Sequence, residues 1–512
     1  MSSKALPEGW CWTKIGDLGQ IVAGGTPSTK IPEYWENEVA WITPADLSGY
    51  QNKFISKGRK SISKLGLEKS SAKLMPQGSI LFSSRAPIGY AVIAANEICT
   101  NQGFKNLIPS QLIFNEYVYY FLKSAKNLAE SYASGTTFKE ITARGFAKLP
   151  LPLPPFPEQH AIVEKLEELF SDLDDGVASL KQAQAQLKTY RQAVLKYAFE
   201  GKLTAAWRET NRPAPAAALL EQIQVERAAQ YQRQLEEWQQ ACARANVSGA
   251  KKPPKPQKPK TLPPLSAAEL AELPKLPAGW CWVRLSEISE AFGGYAFKSQ
   301  DFSDKGKYQV IKIANVKVGQ ILLDSNPAYL ENADEESIKK YGLQQGDCLI
   351  TLTGTRKKRD YGFVAMVKNE QNLLLNQRLA AIRFFQPILP DFYQYALRTQ
   401  HFQNNFFKYE TGNVGQGNVG MKSVTEETII FPPLAEQRQI VQEIEARLSV
   451  CDQLEQTIAA SLRTAESLRQ SLLKHAFEGK LTADWRAQHP DLIAGEHAAA
   501  ALLEKIRKEK IV

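Results

Sequence analysis

The 512-residue chain lacks the sequence features of membrane proteins, secreted proteins and metalloproteins. No apolar run approaches the roughly 20 residues that a membrane-spanning helix needs, and the first residues, MSSKALPEGW, contain no apolar core of a signal peptide. The six cysteines are scattered without a Cys-x-x-Cys pair, and the five histidines form no cluster. We therefore expect neither a zinc site nor a disulfide framework. These absences predict a cytoplasmic protein without a bound metal or a membrane contact.

Sequence signatures of catalysis are also missing, because the chain has no nucleophile elbow, no P-loop and no HExxH string. The string NPAY at residues 326–329 is close to the Asn-Pro-Pro-Tyr loop with which amino-methyltransferases hold a flipped adenine, but the second proline is absent. The string GQGNVG at 415–420 satisfies the dinucleotide fingerprint, yet no strand–helix context precedes it. We interpret the first string as an ordinary turn and the second as a mobile loop close to the boundary between its domain and the following helix, where it could touch DNA. Neither a catalytic residue nor a bound cofactor is predicted.

An internal duplication is the main positive feature of the sequence. Residues 198–208, AFEGKLTAAWR, and 476–486, AFEGKLTADWR, are identical at ten of eleven positions. LPEGWCW at 6–12 likewise returns as LPAGWCW at 276–282. Between these anchors the two halves share a frame but differ in their loops, which is typical of one scaffold that presents two different binding surfaces.

Each half is predicted to contain a mixed α/β domain followed by a long helix. Apolar runs bounded by Gly turns indicate the strands of a domain of about 150 residues. Proline-rich joints, LPLPPFPEQ at 151–159 and IIFPPLAEQ at 429–437, then lead into stripes of apolar residues at steps of three and four. Each stripe predicts a helix about 60 Å long, and the obvious partner of each narrow stripe is the other one. The stripes include Ile162, Leu166, Leu173 and Leu180 in the first half and Ile440, Ile444, Ile458 and Leu462 in the second.

These patterns predict the domain organisation of the whole chain. Gly201 and Gly479 stand where the cap of each long helix belongs. Residues 209–248 are predicted to form one further helix, and the tract KKPPKPQKPK at 251–260 is predicted to be an extended, flexible connector. The predicted boundaries are 1–155 for the first domain, 156–208 for its helix, 209–275 for a helical and Lys/Pro-rich linker, 276–433 for the second domain, 434–486 for its helix and 487–512 for a helical tail.

Charge points to an anionic partner, since the net charge is +9. Arg356, Lys357, Lys358 and Arg359 form one basic loop, which either contacts nucleic acid or is displayed to solvent. At the equivalent place in the first half stand Ser84 and Arg85. Side chains of types suited to reading bases, or equally to stabilising turns, complete the candidates: Asn101, Gln102, Gln377 and Arg378, with Lys105, Lys139, Arg144, Lys312 and Asn315 as further ones.

The repeated set of LPEGWCW, the proline-rich joint ending in EQ, and AFEGKLT resembles the specificity (S) subunit of type I restriction–modification enzymes. The resemblance covers almost the full chain. It implies two target-recognition domains with a pseudo-two-fold arrangement, whose spacer helices pair as an antiparallel coiled coil. It also implies a subunit without catalytic activity that binds double-stranded DNA at a bipartite, asymmetric site.

The same resemblance implies two modification (methyltransferase) subunits as partners, with restriction (translocase–nuclease) subunits in the full complex. S-adenosylmethionine would be bound by the modification subunits and not by this chain. The near-identity of the eleven-residue repeats indicates that each copy faces the same thing on both sides, either a modification subunit or the start of the opposite spacer. The candidate docking residues there are Phe199, Trp207, Phe477 and Trp485.

Two alternatives from other functional classes stay open at this point. One is a DNA adenine methyltransferase that acts alone through the NPAY turn at 326–329. The other is a coiled-coil scaffold that binds only protein. The long segment 209–275 departs from the commoner pattern of the family, and the sequence leaves its role open.

Overall fold

The computed structural model describes residues 5–135, 139–248, 251–256, 258, 262–413 and 415–509. The chain divides into two compact units, Met1–Ala183 with Thr457–Val512 and Gln184–Gln456. Because the cuts fall inside the two long helices, each unit contains one α/β domain, the start of one long helix and the end of the other.

The first domain is built on a five-stranded sheet with the order β2-β9-β6-β7-β4 and a three-stranded sheet with the order β5-β3-β8. Strands β1 and β10 pair antiparallel, so the first and last strands of the domain lie together beside the start of the long helix. The strands are β1 (Cys11–Lys14), β2 (Gly19–Ala23), β3 (Val39–Ile42), β4 (Phe54–Ile55), β5 (Lys60–Ile62), β6 (Ile80–Ser83), β7 (Ala91–Ala94), β8 (Cys99–Thr100), β9 (Phe104–Pro109) and β10 (Pro150–Leu153). The helices are α1 (Lys64–Glu68), α2 (Asn115–Ser124), α3 (Lys126–Ser131) and α4 (Ala143–Ala147).

The first long helix, α5 (Phe156–Phe199), has 44 residues and is therefore about 66 Å long. It is followed by α6 (Ala205–Asn211), α7 (Ala216–Ser248) and α8 (Ala267–Ala271). The single helix predicted over 209–248 is wrong at its start. Arg212 adopts a left-handed φ of 42°, and the prolines at 213 and 215 remove two backbone donors, so the chain breaks before α7.

The Lys/Pro tract lies partly outside the described residues, since positions 257 and 259–261 are not among them. Its described part contacts α7. The Trp238 indole donates to the Pro253 carbonyl at 2.9 Å, and Lys255 Nζ lies 5.8 Å from the centre of the Trp238 ring. This part of the predicted connector is therefore held against the helix through an indole hydrogen bond and a cation–π contact.

The second domain repeats the architecture of the first. Its four-stranded sheet has the order β12-β21-β17-β19, and its three-stranded sheet has the order β16-β13-β20. The strands are β11 (Cys281–Arg284), β12 (Ser289–Gly293), β13 (Tyr308–Ile311), β14 (Val316–Lys317), β15 (Gln320–Ile321), β16 (Tyr329–Leu330), β17 (Cys348–Thr351), β18 (Thr353–Thr355), β19 (Val364–Met366), β20 (Leu373–Leu375), β21 (Leu379–Phe384), β22 (Thr411–Gly412), β23 (Gln416–Asn418) and β24 (Thr428–Phe431). The helices are α9 (Leu285–Ile288), α10 (Glu335–Tyr341), α11 (Pro390–Ala396), α12 (Gln400–Phe406) and α13 (Lys422–Thr425).

Strand pairing confirms that the two mixed α/β domains are copies of one fold. β11 pairs with β24 antiparallel as β1 pairs with β10. The parallel pairs β3–β8 and β13–β20 are equivalent in the same way. The second domain adds the small sheet β18-β23-β22, which joins the strand before the basic loop to the GQGNVG segment.

The second long helix, α14 (Leu434–Phe477), also has 44 residues. Asp174 of α5 pairs with Arg469 of α14 in one unit, whereas Arg191, further along α5, pairs at 2.5 Å with Asp452, which lies earlier on α14. The predicted antiparallel pairing of the helices is confirmed. The helices α15 (Ala483–Gln488) and α16 (Ala499–Glu509) follow.

The start of each predicted apolar stripe lies in the core of one unit. In the first unit the core runs from the domain into α5, α14 and α16, and in the second it runs into α5, α7 and α14. Burying each large apolar side chain contributes about 1.5–3 kcal/mol, so the long helices are integral to both cores. Of the predicted stripe, Ile162, Leu166, Ile440, Ile444 and Ile458 are buried, whereas Leu173, Leu180 and Leu462 are half-buried.

Both long helices end as predicted at a glycine. Gly201 and Gly479 have φ of +66° and +69°, a left-handed conformation in which a side chain would be strained. The next N–H groups, of Lys202 and Lys480, each donate at 2.9 Å to a carbonyl of the last helical turn. This is the hydrogen-bond pattern of a Schellman cap, so both predicted caps are confirmed.

Candidate nucleic-acid interface

In the first unit, one buried carboxylate joins all three repeated motifs. Glu158 in the first turn of α5 is fully buried. It accepts hydrogen bonds at 2.7 Å from the Trp10 indole and at 2.7 Å from the Thr482 hydroxyl, and it forms an ion pair with Arg486. The eleven-residue repeat at 476–486 therefore contacts the start of the helix that belongs to the other half of the sequence.

The second unit contains the same arrangement. Glu436 in the first turn of α14 is fully buried and accepts from the Trp280 indole at 2.7 Å. The Thr204 hydroxyl donates to it at 2.7 Å, and Arg208 Nε donates at 2.8 Å. We call each set of four residues the joint: Trp10, Glu158, Thr482 and Arg486 in the first unit, and Trp280, Glu436, Thr204 and Arg208 in the second.

The glutamine after each joint glutamate ties the helix start to its own domain. Gln159 accepts from the backbone N–H of Phe114 at 3.0 Å and donates to the Pro154 carbonyl at 3.1 Å. Gln437 does the same with Leu389, at 3.3 Å, and with the Pro432 carbonyl, at 2.9 Å. The repeated EQ pair therefore satisfies backbone groups that would otherwise be buried without partners.

The candidate docking residues at the helix ends fall into two kinds. Phe199 and Phe477 pack inside the domains, with ring centres 5.4 Å from Phe392 and from Tyr117 respectively. Trp207 and Trp485 are half-buried. Each of these tryptophans directly precedes a joint arginine, and the Trp485 ring also stacks on His489, with ring centres 4.7 Å apart.

In both domains, backbone hydrogen bonds bring together the same three segments. In the first, the N–H of Ser84 donates to the Gly103 carbonyl at 2.7 Å, and the N–H of Ile141 donates to the Ser84 carbonyl at 3.0 Å. In the second, Leu352 takes the place of Ser84, with bonds of 2.9 Å to the Arg378 carbonyl and 2.8 Å from the Val419 N–H. We call this region the loop edge: residues 84–85, 101–105 and 139–141 in the first domain, and 352–359, 376–378, 410–413 and 415–419 in the second.

The loop edge of the first domain contains most of the candidates predicted there. Arg85 is half-buried, Gln102 and Lys139 are exposed, and Ser84 is buried. Lys105 is buried and donates to Ser84 Oγ at 3.2 Å. Asn101, also at this edge, accepts from the N–H of Gly103 at 2.9 Å and so stabilises its own turn. Arg144 is exposed on the adjacent α4.

The loop edge of the second domain carries the basic loop. Arg356, Lys357, Lys358 and Arg359 are all exposed, as are Gln377 and Arg378. Arg359 and Arg378 adopt left-handed φ values of 47° and 69°, a conformation that costs a non-glycine residue about 1–2 kcal/mol.

The two remaining candidates lie next to this edge. Lys312 is half-buried and follows Ile311, whose carbonyl accepts from the N–H of Asn376 at 3.1 Å. Asn315 is fully buried and donates at 2.8 Å to the carbonyls of Leu322 and Ser325. Its amide donors are therefore used within the domain.

The two motif-like strings have structural explanations. Residues 326–329 form a turn into β16, and the carbonyl of Ala328 accepts from the N–H of Val310 at 2.9 Å. In the GQGNVG string, residues 416–418 form β23, which pairs with β18. A Cβ at Gly417 would lie 2.1 Å from the Tyr361 hydroxyl oxygen, so close packing requires glycine there.

A profile of the family described as "Type I restriction modification DNA specificity domain" matches residues 7–188 and 277–464. These two matches cover both α/β domains and most of the long helix that follows each of them. The chain belongs to this family. As a specificity subunit, it is the non-catalytic DNA-specificity component of a type I restriction–modification system.

Individual relatives support the same assignment. The specificity subunit resembles the EcoKI specificity subunit of Escherichia coli K12, with 26% identity over 521 residues that cover 100% of this chain and 97% of the relative. Its fold resembles the crystal structure of the HsdS subunit from Thermoanaerobacter tengcongensis, with a TM-score of 0.54 and 18% identity over 94% of this chain and 99% of that one. A chain from a structure on complex assembly and conformational transition of the type I R-M system gives a TM-score of 0.62 and 18% identity, with coverages of 93% and 100%.

Within the described part of the chain, no group of three or more His, Cys, Asp or Glu residues could hold a metal ion. None of the described helices combines the length and apolar character needed to cross a bilayer.

Sequence reasoning missed the carboxylates of the specificity subunit. Their position in the first helical turn indicates only that Glu158 and Glu436 favour the start of a helix, although the repeated Trp of GWCW and Arg of the eleven-residue motif could have indicated their partners. Glu140 and Glu410, which lie at the loop edges, had no such signal. They stand in segments that differ between the halves, and an acidic residue does not by itself indicate DNA binding.

Proposed function

We propose that the first domain of this specificity subunit reads one half of a bipartite, asymmetric target in double-stranded DNA and that the second domain reads the other half. The observation that carries this proposal is the loop edge. An equivalent backbone frame in both domains presents different polar and basic side chains, such as Arg85 in the first and Arg356–Arg359 in the second. The same backbone arrangement with different side chains is suited to the recognition of two half-sites with different base sequences.

The basic loop supports a division of labour within each domain. Lys357 and Lys358 are exposed and would neutralise phosphates, which gives affinity without sequence preference. Polar groups such as Gln102, Gln377 and Arg378 would reach base edges. We propose residues 1–155 and 276–433, the predicted domain boundaries, as the limits of the two reading units.

The spacer helices would set the gap between the two half-sites, because each reading unit leads directly into one of two paired 44-residue helices. We also propose that two modification subunits bind this chain and supply S-adenosylmethionine, with restriction subunits in the full complex. The proposed DNA partner places the complex in the cytoplasm.

The test is to produce the chain with its modification subunits in a host without adenine methylation and to map methylated adenines in the genome. We expect one motif with two unlike specified halves separated by an unspecified gap of constant length. Robust methylation by the chain alone would instead support an independent methyltransferase. Assembly with partners but no DNA preference would support a protein-only scaffold.

A docking prediction follows from the two equivalent tryptophans. Trp207→Ala and Trp485→Ala should each weaken the binding of one modification subunit, because each removes one copy of a half-exposed indole surface beside a joint. Native mass spectrometry should show complexes with one modification subunit for each single variant and none for the double variant.

The matched control is Trp238→Ala, which removes an equally half-buried indole from α7, outside the repeat. It should leave two modification subunits bound. If Trp207→Ala keeps both subunits at unchanged affinity, the helix ends are not the docking surface.

A further inference from the structure

In both domains an arginine at the loop edge is held by a carboxylate from a later segment of the same domain. Arg85 follows β6, and its Nη1 lies 3.4 Å from Glu140 Oε2. Arg356 follows β18, and its Nε lies 3.2 Å from Glu410 Oε2. The arginine–carboxylate pair therefore occurs twice, although the surrounding loops differ in sequence.

Each carboxylate has a second donor from the domain interior, and the chemistry of that donor differs between the halves. In the first domain it is the ammonium of Lys105, whose Nζ lies 3.1 Å from Glu140 Oε1. In the second it is the hydroxyl of Tyr361, which donates to Glu410 Oε1. Burial, and then the neighbouring carboxylate, raise the pKa of Tyr361 far above its usual range, so the hydroxyl stays protonated and keeps donating.

Both arginines are partly exposed, whereas their carboxylates differ from each other in exposure. The side chains of Arg85 and Arg356 are 40% and 45% exposed, that of Glu140 is 35% exposed, and that of Glu410 is only 10% exposed. An anchored acceptor thus holds a guanidinium whose remaining N–H groups are open to solvent. Arg356 uses Nε for its carboxylate, which leaves both terminal nitrogens available.

The partly exposed arginines add little to the free energy of unfolding through these pairs, because an ion pair open to solvent is weak. Their clearer effect is on orientation. A free arginine side chain loses considerable rotamer freedom when it binds a partner, whereas a guanidinium that is already held by a carboxylate loses less. Preorganisation of this kind is useful where a planar, two-donor group must meet a planar, two-acceptor edge.

We propose that Arg85 and Arg356 are specificity-determining residues, each oriented by its carboxylate, Glu140 or Glu410, to read a guanine in its own half of the target. Guanine presents two acceptors, O6 and N7, in the major groove, and arginine is the side chain that matches them with two parallel hydrogen bonds. Glu140 and Glu410 are positioning residues that act through the arginines. This inference rests on the proposed function and adds to it the residue and the base.

The experiment compares variants of the full chain, each assembled with the modification subunits, by genome-wide mapping of methylated adenines. Arg356→Ala should relax one G·C position of the second half-site, with discrimination at that position reduced about 5- to 150-fold. The first half-site should be unchanged. Arg85→Ala should have the reciprocal effect, so each variant is a control for the other.

Three further variants separate base reading from charge and from folding. Arg356→Lys keeps the positive charge but removes the two parallel N–H donors of the guanidinium. It should therefore reduce base discrimination at the same position as Arg356→Ala. Glu410→Gln should relax that position partially and leave the salt dependence of DNA binding close to that of the wild type. Lys357→Ala, a neighbouring change in the same loop, should weaken methylation at all sequences equally and reduce the salt dependence.

The result that would overturn the inference is a uniform loss of methylation in Arg356→Ala with every base preference intact, or an unaltered motif in Arg356→Lys. Either would make Arg356 a phosphate contact. Thermal unfolding curves of the assembled variants show whether folding is intact. The methylation map of the wild type tests the proposed function separately. If that map shows no bipartite motif, the proposed function is wrong, whatever the variants show.

Discussion

Glu436→Ala is expected to lower the free energy of unfolding of the second unit by about 3–5 kcal/mol, the range for removing one partner of a buried ion pair. The variant leaves three donors without their acceptor: the Trp280 indole, the Thr204 hydroxyl and the Arg208 guanidinium. Arg208 is only 18% exposed, so water replaces the lost carboxylate poorly. Hydrogen exchange, which reports each unit separately, measures the effect in the full chain.

The matched control is Glu443→Ala on the same helix. Glu443 pairs with Arg447 one turn later on the partly exposed surface of α14, and surface pairs of this spacing contribute about 0.3–0.5 kcal/mol. The control variant should therefore behave almost like the wild type. Glu158→Ala should reproduce the large loss in the first unit. Equal protection of the second unit in Glu436→Ala and Glu443→Ala would show that the joint does not hold the helices to the domains.

Adding four residues to both spacer helices is expected to lengthen the gap between the half-sites while each half-site keeps its sequence. Four helical residues add about 6 Å, which corresponds to about two base pairs at 3.4 Å each. By the register of the ion pairs Asp174–Arg469 and Arg191–Asp452, the insertions belong after Ala183 and after Ala459. Mapping of methylated adenines would report the new gap directly.

The control for this prediction is the same insertion in α5 alone. It shifts Arg191 by one turn relative to Asp452 and Glu455, which it contacts in the wild type, and it moves the apolar stripe out of register with its partner. We expect that variant to lose methylation altogether. If the double insertion alters a half-site sequence at a constant gap, the helices do not set the spacing.

The features that depend on neighbouring residues can be predicted from the sequence. Steps of three and four predicted both long helices and their paired stripes, because helical periodicity is a local property. Gly201 and Gly479 predicted the helix ends, because a left-handed cap favours a residue without a Cβ. The break before α7 was missed, although Pro213 and Pro215 indicate it locally, because the composition around them favours a helix. The internal duplication, and the family that it indicates, can also be recognised from the sequence.

The contacts between polar groups that are distant in the sequence become visible only in the folded chain. Glu158 accepts a hydrogen bond from Thr482 and forms an ion pair with Arg486, both from the far end of the chain. Glu410 forms an ion pair with Arg356. Nothing in the residues next to either glutamate indicates these partners. The physical reason is that a buried carboxylate must find donors wherever the packed elements bring them. Which donors reach each carboxylate depends on how the antiparallel helices and the strands of each domain pack together, and not on any single segment.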